Sequence, residues 1–238
     1  MKRKRLYFDI ETSPNIGLFW SAGYKQKIDY SNIIKERAII CICYKWEDEK
    51  QVHSLSWDKN QSDKKLLQEF IKVANEADEL VGHNGDKFDL PWVRTRCLYH
   101  RVDLFPRYTT IDTLKLSRRQ FRFNSNRLDY IASFLGIGKK IKTDFNLWKD
   151  IVLNKCEKSM AKMIEYCKQD VKLLEQVHKE LRSHDTPKMH YGVLLNGDKR
   201  TCPECGSNNV IISKTKITAA GTKHIQYQCK DCGKYHTR

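Results

Sequence analysis

Asp9 and Glu11 stand two residues apart at the end of a short apolar run near the start of the chain. If that run is a strand, its side chains alternate and both carboxylates project to one face. Two such acids repel each other and are costly to bury together unless a cation lies between them. D-x-E alone is common and usually solvated, so the pair gains meaning only with partners. Two further elements offer them. Asp89 follows Gly82-His83-Asn84-Gly85-Asp86-Lys87-Phe88, where a short strand gives way to a helix. A carboxylate there caps the helix, which does not prevent it from binding a metal. Tyr166 and Asp170 are spaced i, i+4 on a long helical stretch and stack on one face, at the edge of its apolar stripe. Taken singly they read as a boundary tyrosine and a solvated acid.

A second chemistry is written in the cysteines. Cys202-Pro203-Glu204-Cys205-Gly206 and Cys229-Lys230-Asp231-Cys232-Gly233 form two C-x-x-C pairs in which each glycine lets the backbone turn its N–H groups toward sulfur. Between them lie Val210-Ile211-Ile212, a turn at Ala219-Ala220-Gly221 and Ile225-Gln226-Tyr227, the pattern of a β-hairpin. The arrangement resembles a zinc ribbon: four thiolates leave no open position, so the ion is structural and a unit this small needs it to fold. Redox C-x-x-C chemistry is the rival reading. His224 and His236 are spare ligands that read as surface residues. Cys41, Cys43, Cys97, Cys156 and Cys167 lie among apolar neighbours as reduced core residues, which favours a reducing compartment over a disulfide scaffold.

The elements that must position these groups follow from periodicity. Strands are expected at Leu6–Ile10, Arg37–Trp46, Gln51–Trp57 (a hairpin with the second across Glu47-Asp48-Glu49-Lys50) and Glu79–His83. Thr109–Leu114 reads as a fifth strand or the start of a helix. Helices are expected at Ser62–Ala74, Asp89–Arg101 with Pro91 in its first turn, Arg127–Leu135 closed by Gly136, and Ser159–Leu181. Three early strands followed by strand–helix alternation predict an α/β fold with a mixed β-sheet flanked by helices. The helical pattern stops at Ser183-His184-Asp185-Thr186-Pro187. The chain therefore divides into a domain over 1–185, a linker over 186–198 and the small cysteine-bearing β domain over 199–238.

The chain has 238 residues, with 44 Lys and Arg against 29 Asp and Glu, a net charge of +15. The surplus favours a polyanionic partner, nucleic acid before an anionic membrane. No run approaches the roughly 18 apolar residues of a membrane span, and the basic start lacks a signal-peptide core. These features argue against integral membrane life and against secretion. Both parts are positive: the tail from Thr186 holds nine basic and three acidic residues, leaving 35 and 26 before it. Lys214, Lys216, Lys223, Lys230 and Lys234 equip the ribbon to grip phosphates, with a protein-docking surface as the alternative. Arg118-Arg119-Gln120-Phe121-Arg122-Phe123-Asn124-Ser125-Asn126-Arg127 interleaves charge with rings, the chemistry of a single-strand groove. Phe19, Trp20 and Tyr24 could stack on bases or be partly buried in the core. Lys2-Arg3-Lys4-Arg5 reads as an exposed arm.

Taken in order, Phe8-Asp9-Ile10-Glu11-Thr12, His83-Asn84-…-Phe88-Asp89 and Tyr166-x-x-x-Asp170 resemble the three exonuclease motifs of the DEDD superfamily. The tyrosine marks the DEDDy branch, which includes the proofreading domains of family B DNA polymerases. Ile111-Asp112-Thr113-Leu114-Lys115-Leu116, Leu128-Asp129-Tyr130-Ile131-Ala132 and Leu135-Gly136-Ile137-Gly138-Lys139-Lys140 agree with the resemblance, which spans about residues 5–182. It implies a ribonuclease H-like fold and two-metal phosphodiester hydrolysis. Asp9, Glu11, Asp89 and Asp170 would be the ligands of two Mg²⁺ or Mn²⁺ ions, Tyr166 would orient the attacking water, and Thr12, Asn84 and Phe88 would touch the terminal nucleotide. The expected activity is that of a stand-alone cytoplasmic 3′–5′ exonuclease acting on DNA, in a bacterium or phage-infected cell. The alternatives are an exoribonuclease and a nucleic-acid-binding adaptor with a vestigial nuclease fold.

Overall fold

The computed structural model describes residues 3–21, 23, 28–47, 49–104, 107–141 and 143–237. Lys2, Tyr24 and Asp48 lie outside them.

The alternation at the start of the chain forms strand β1 (Arg5–Thr12), the middle of a five-stranded sheet. Its neighbours are β4 (Ile39–Trp46), antiparallel, and β6 (Glu79–Gly82), parallel. Beyond β4 lies β5 (His53–Ser56), antiparallel, and beyond β6 lies β7 (Thr110–Asp112), parallel. The mixed α/β architecture is thus as expected. A small ribbon of β2 (Ile16–Gly17) and β3 (Ile33–Lys35) rises from the loop after β1.

Period-two alternation splits the sheet into two cores. Leu6, Phe8 and Ile10 pack with Ile39, Ile42 and Leu80 against Leu66, Leu67 and Phe70 of α1 (Lys64–Asn75) and Leu90, Val93 and Cys97 of α2 (Asp89–His100). Tyr7, Cys41, Cys43, Val81 and Ile111 face the other way, onto Met163, Cys167, Val171, Leu174 and Val177 of α6 (Glu157–Leu181), with Leu128 and Ile131 of α4 (Leu128–Phe134). Helices α3 (Thr113–Gln120) and α5 (Phe145–Val152) complete that layer. Thr109–Leu114 turns out to be both things expected of it: β7 runs straight into α3, whose N-cap Asp112 accepts the backbone N–H groups of Leu114 and Lys115. Helix α5 went unpredicted, because its eight residues are too few to show a period.

Within the basic N-terminus Lys4 is exposed, but Arg3 and Arg5 are buried and not part of an exposed arm. Arg5 is 1% exposed and bonds Glu79 at 2.7 Å, Glu47 at 3.0 Å and Glu204 at 3.2 Å, while Arg3 bonds Glu204 at 3.0 Å. Facing acids compensate the charges, which is the condition for burying them. These contacts join β1 to the cysteine-rich module. The stretch expected to be a linker carries helix α7 (Tyr191–Leu194), with Tyr191 and Gly192 buried. A Cβ at Gly192 would lie 1.8 Å from Thr201 Oγ1, so only glycine permits this approach. The module itself is a three-stranded sheet of β8 (Val210–Ile217), β9 (Lys223–Cys229) and β10 (Tyr235–Thr237). Gly221, at φ +79°, turns the β8–β9 hairpin.

Candidate active site

The alternation that sends Phe8 and Ile10 to one core sends Asp9 and Glu11 to the other, toward α6. There Asp170 is buried one helical turn from Tyr166. Carboxylate oxygens of Asp9, Glu11 and Asp170 all lie within 4.8 Å of one another. Asp89 arrives from the other side of the sheet. It opens α2 as its first helical residue and makes no cap; instead Oδ1 accepts the Ile10 backbone N–H at 3.2 Å. That bond spans the strand end between Asp9 and Glu11.

The loop that delivers Asp89 is tightly made. Gly82 and Gly85 approach so closely that a Cβ on Gly82 would be 3.1 Å from the Gly85 Cα. Asn84 takes the left-handed conformation, φ +68°, which asparagine tolerates better than most residues. Asp112 accepts the Asn84 N–H at 3.0 Å, tying the loop to the start of α3. His83 bonds Thr113 Oγ1 at 2.9 Å and the Asn126 carbonyl at 3.0 Å. Burial holds it neutral, lowering its pKa to about 4.

The electrostatics of the cluster are those of a group that could hold a cation. Burial, then the nearby charges of Asp89, Glu11 and Asp170, drives the Asp9 pKa well above the ordinary carboxylate range. Burial first and Asp170 second lift Glu11 to about 8, and burial lifts Asp89 to about 7. Asp170 is raised by burial too, with Lys140 and Tyr166 pulling it back. Lys140, on the loop after α4, pairs with Asp170 and lies 5.5 Å from the centre of the Tyr166 ring. Burial and Asp170 push the Tyr166 pKa up, so its hydroxyl keeps its proton at neutral pH. Behind the acids, the Cys167 thiol donates to the Asp9 carbonyl at 3.5 Å and lies 3.7 Å from Asp9 Oδ2. In the sequence His83 opens the second motif, Cys167 reads as a core thiol and Lys140 ends a Gly-x-Gly-Lys-Lys turn, and none of these patterns signals the contacts the three make here.

Lys140 also lines a cleft of about 620 Å³, with His83, Asn84, Arg118, Arg127 and the loop Asn124–Asn126. The basic-aromatic stretch thus divides. Arg118, Arg122 and Arg127 are exposed, whereas Phe121 and Phe123 pack inward with centroids 5.3 Å apart. Asn84 faces this cleft. Thr12 spends its carbonyl on Trp148 Nε1 at 3.1 Å, and Phe88 packs against the α1–α2 core. Phe19 is half exposed and Trp20 fully so, which leaves both clear of the core.

Sulfurs of Cys202, Cys205, Cys229 and Cys232 form a second cluster, with Cys202–Cys232 and Cys205–Cys229 at 3.6 Å. A tetrahedral ion with metal–sulfur bonds of about 2.3 Å has edges of about 3.8 Å, so the four thiols fit zinc. The Glu204 N–H donates to Cys202 Sγ at 3.4 Å, and Gly206 and Gly233 turn at φ +76° and +73°. His236 is not a free surface residue: it is half-buried and stacks on Tyr227 at 5.4 Å. Cys156 is partly exposed as the residue before α6, while the other four non-cluster cysteines are buried as expected.

The sheet order is that of a ribonuclease H-like fold, with the acid cluster and basic cleft at its strand ends. The family RNase_H_2, of the RNase H superfamily, matches residues 6–182. The chain belongs to this superfamily. No curated protein matches it. Among solved structures it is similar to the family B DNA polymerase from the hyperthermophilic archaeon Pyrobaculum calidifontis, at 18% identity and a TM-score of 0.58. The match covers 77% of this chain and 25% of the polymerase, so the chain spans about a quarter of that protein. Among the described residues no helix is long and apolar enough to cross a membrane.

Proposed function

We propose that this chain is a metal-dependent 3′–5′ exonuclease of the DEDDy type that shortens DNA from its 3′ end, preferring single strands. The observation that carries the reading is the meeting of Asp9, Glu11 and Asp170 within 4.8 Å, with Asp89 beside them, where a basic cleft opens. Hard oxygen donors on carboxyls driven up in pKa by burial first, and for Asp9 and Glu11 by neighbouring acids second, fit a pair of Mg²⁺ or Mn²⁺ ions, held by Asp9, Glu11, Asp89 and Asp170. Bound there, such ions supply a water of lowered pKa and neutralise the leaving 3′-oxygen. Tyr166, protonated and beside Asp170, orients that water and is too weak a base to deprotonate it unaided. Lys140 sets a fixed positive charge between acids and cleft, suited to a phosphate oxygen. Thr12, Asn84 and Phe88 contact the terminal nucleotide. The four cysteines hold one structural zinc, and the buried free thiols suit a reducing cytosol.

Purified protein is incubated with 5′-labelled DNA and RNA, single- and double-stranded, with Mg²⁺, Mn²⁺ or neither. A metal-dependent ladder of shortened DNA is expected. Asp9→Ala should cut the rate by about a thousandfold or more, since several kcal/mol of charge stabilisation depend on the ligand set. A ladder on RNA alone would transfer the reading to an exoribonuclease. Undiminished binding without turnover under any metal would leave a binding module.

A further inference from the structure

Resting on that reading, we propose that the groove between residues 185–190 and strand β10 is a second nucleic-acid subsite. It would hold the single strand upstream of the nucleotide being removed. The two sites are built into one body. Glu204, between the cysteines of the first C-x-x-C pair, is bonded to Arg3 and Arg5 at the start of β1. Lys234, just after the second pair, is 1% exposed; its Nζ donates to the carbonyls of Arg182 at 3.1 Å and Ser183 at 3.2 Å, and to that of Asp185. The ribbon is therefore locked to the C-terminal end of the helix that carries Asp170.

A groove of about 570 Å³ opens along this junction, bounded on one side by Asp185, Lys188 and His190 and on the other by Tyr235 and His236. Its chemistry is that of a nucleotide site. The Tyr235 ring is half exposed, and Lys188 is exposed at the rim, its Nζ donating to the Thr110 carbonyl, a bond to a neutral acceptor that leaves its charge uncompensated. The one acid, Asp185, is matched by Arg119 at 2.6 Å. His190 accepts the Val193 N–H through Nδ1 and its Nε2 is buried, so the imidazole shapes the wall of the groove without offering it a donor. A ring to stack on and a cation for phosphate are what sequence-tolerant strand binding requires.

The route between the sites is basic. Arg118 lines the cleft at the acids, and Arg119, the next residue on α3, reaches Asp185 at the edge of the groove. Phe121 meets His184 edge to face at 5.1 Å, closing the surface between them. From Asp170 to Arg182 the helix rises about 18 Å, or about five stacked nucleotides at about 3.4 Å each. A strand whose end lies at the acids therefore reaches the groove only when it is longer than about that.

The test measures binding of fluorescent 3-, 6-, 9- and 12-nucleotide single-stranded DNA by anisotropy, in Ca²⁺ to suppress turnover. Wild-type affinity should step up by tenfold or more between three and nine nucleotides. Tyr235→Ala and Lys188→Gln, each confirmed folded by its melting curve, should flatten that step without changing trinucleotide affinity. Lys188→Gln should also lower the slope of log K against log salt by about one. Length curves and salt slopes identical to wild type in both variants would overturn the subsite, as would a groove that takes only protein or peptide. Failure of the nuclease reading looks different: no oligonucleotide of any length is shortened in Mg²⁺ or Mn²⁺, whatever the length curve.

Discussion

At the scale of single residues, the acids of the cluster hold protons that their unfolded counterparts release. Glu11 at about 8 and Asp89 at about 7 are both raised above ordinary carboxyl values. A folded-state pKa above the unfolded one means the native protein binds more protons, so stability falls as pH rises toward the folded value. In Mg²⁺-free buffer the melting temperature should therefore decline between about pH 6.5 and 8. His83 has the opposite sign, but its pull lies below its unfolded pKa near 6.5. Divalent ions displace these protons, so the rise in melting temperature on adding Mg²⁺ should grow across the same window. Asp9→Asn should blunt both effects. At pH values where Asp9 is forced to ionise, removing its charge should raise the Mg²⁺-free melting point by about 2–4 °C for each kcal/mol relieved. Differential scanning calorimetry over a pH series reads both, and a Mg²⁺ gain independent of pH would contradict the assigned cluster.

At the scale of elements, β1 does two jobs at its two ends. Its C-terminal half presents Asp9 and Glu11, and its N-terminal half is anchored by Arg5, which sits opposite Glu79 in the parallel ladder with β6. A buried guanidinium with three acids around it adds little as a set, because desolvation offsets most of the attraction. Removing one member leaves uncompensated charge. Arg5→Met should cost about 3–5 kcal/mol in urea unfolding, and adding Glu79→Gln should recover part of the loss because the two sites are coupled. Strict additivity would mean that the pair does not interact.

At the scale of the whole molecule, the cysteine module is bonded into the larger α/β body. Glu204 links the Cys202–Cys205 loop to β1 and Lys234 caps the carbonyls after α6, so loss of the proposed zinc is expected to loosen that body. Cys202→Ser should empty the zinc site and lower the main melting transition by about 5 °C or more, the size expected for losing about 2 kcal/mol. A separate low-temperature transition with the main one unmoved would instead describe an independent tail.

What could be read from the chain alone was whatever repeats at short range. Alternation placed Asp9 and Glu11 on one face of β1, the i, i+4 step stacked Tyr166 on Asp170, and the C-x-x-C spacing gathered the four thiols in pairs. Each depends on backbone geometry over a few residues, which a strand or helix imposes whatever lies elsewhere. The eight-residue α5 and the two-residue β2 were invisible for the same reason, being shorter than the period that would reveal them. Only the tertiary structure decided which distant charge meets which. Lys140 faces Asp170 across 30 residues, and Arg5 faces Glu204 across 199. Asp89, placed by sequence to cap its helix, is its first residue instead and accepts the Ile10 N–H from β1. A basic residue reads alike as an exposed arm or a buried anchor until its partner is known. The difference is the energy of burying a charge, and that is set through space by what the fold brings opposite it.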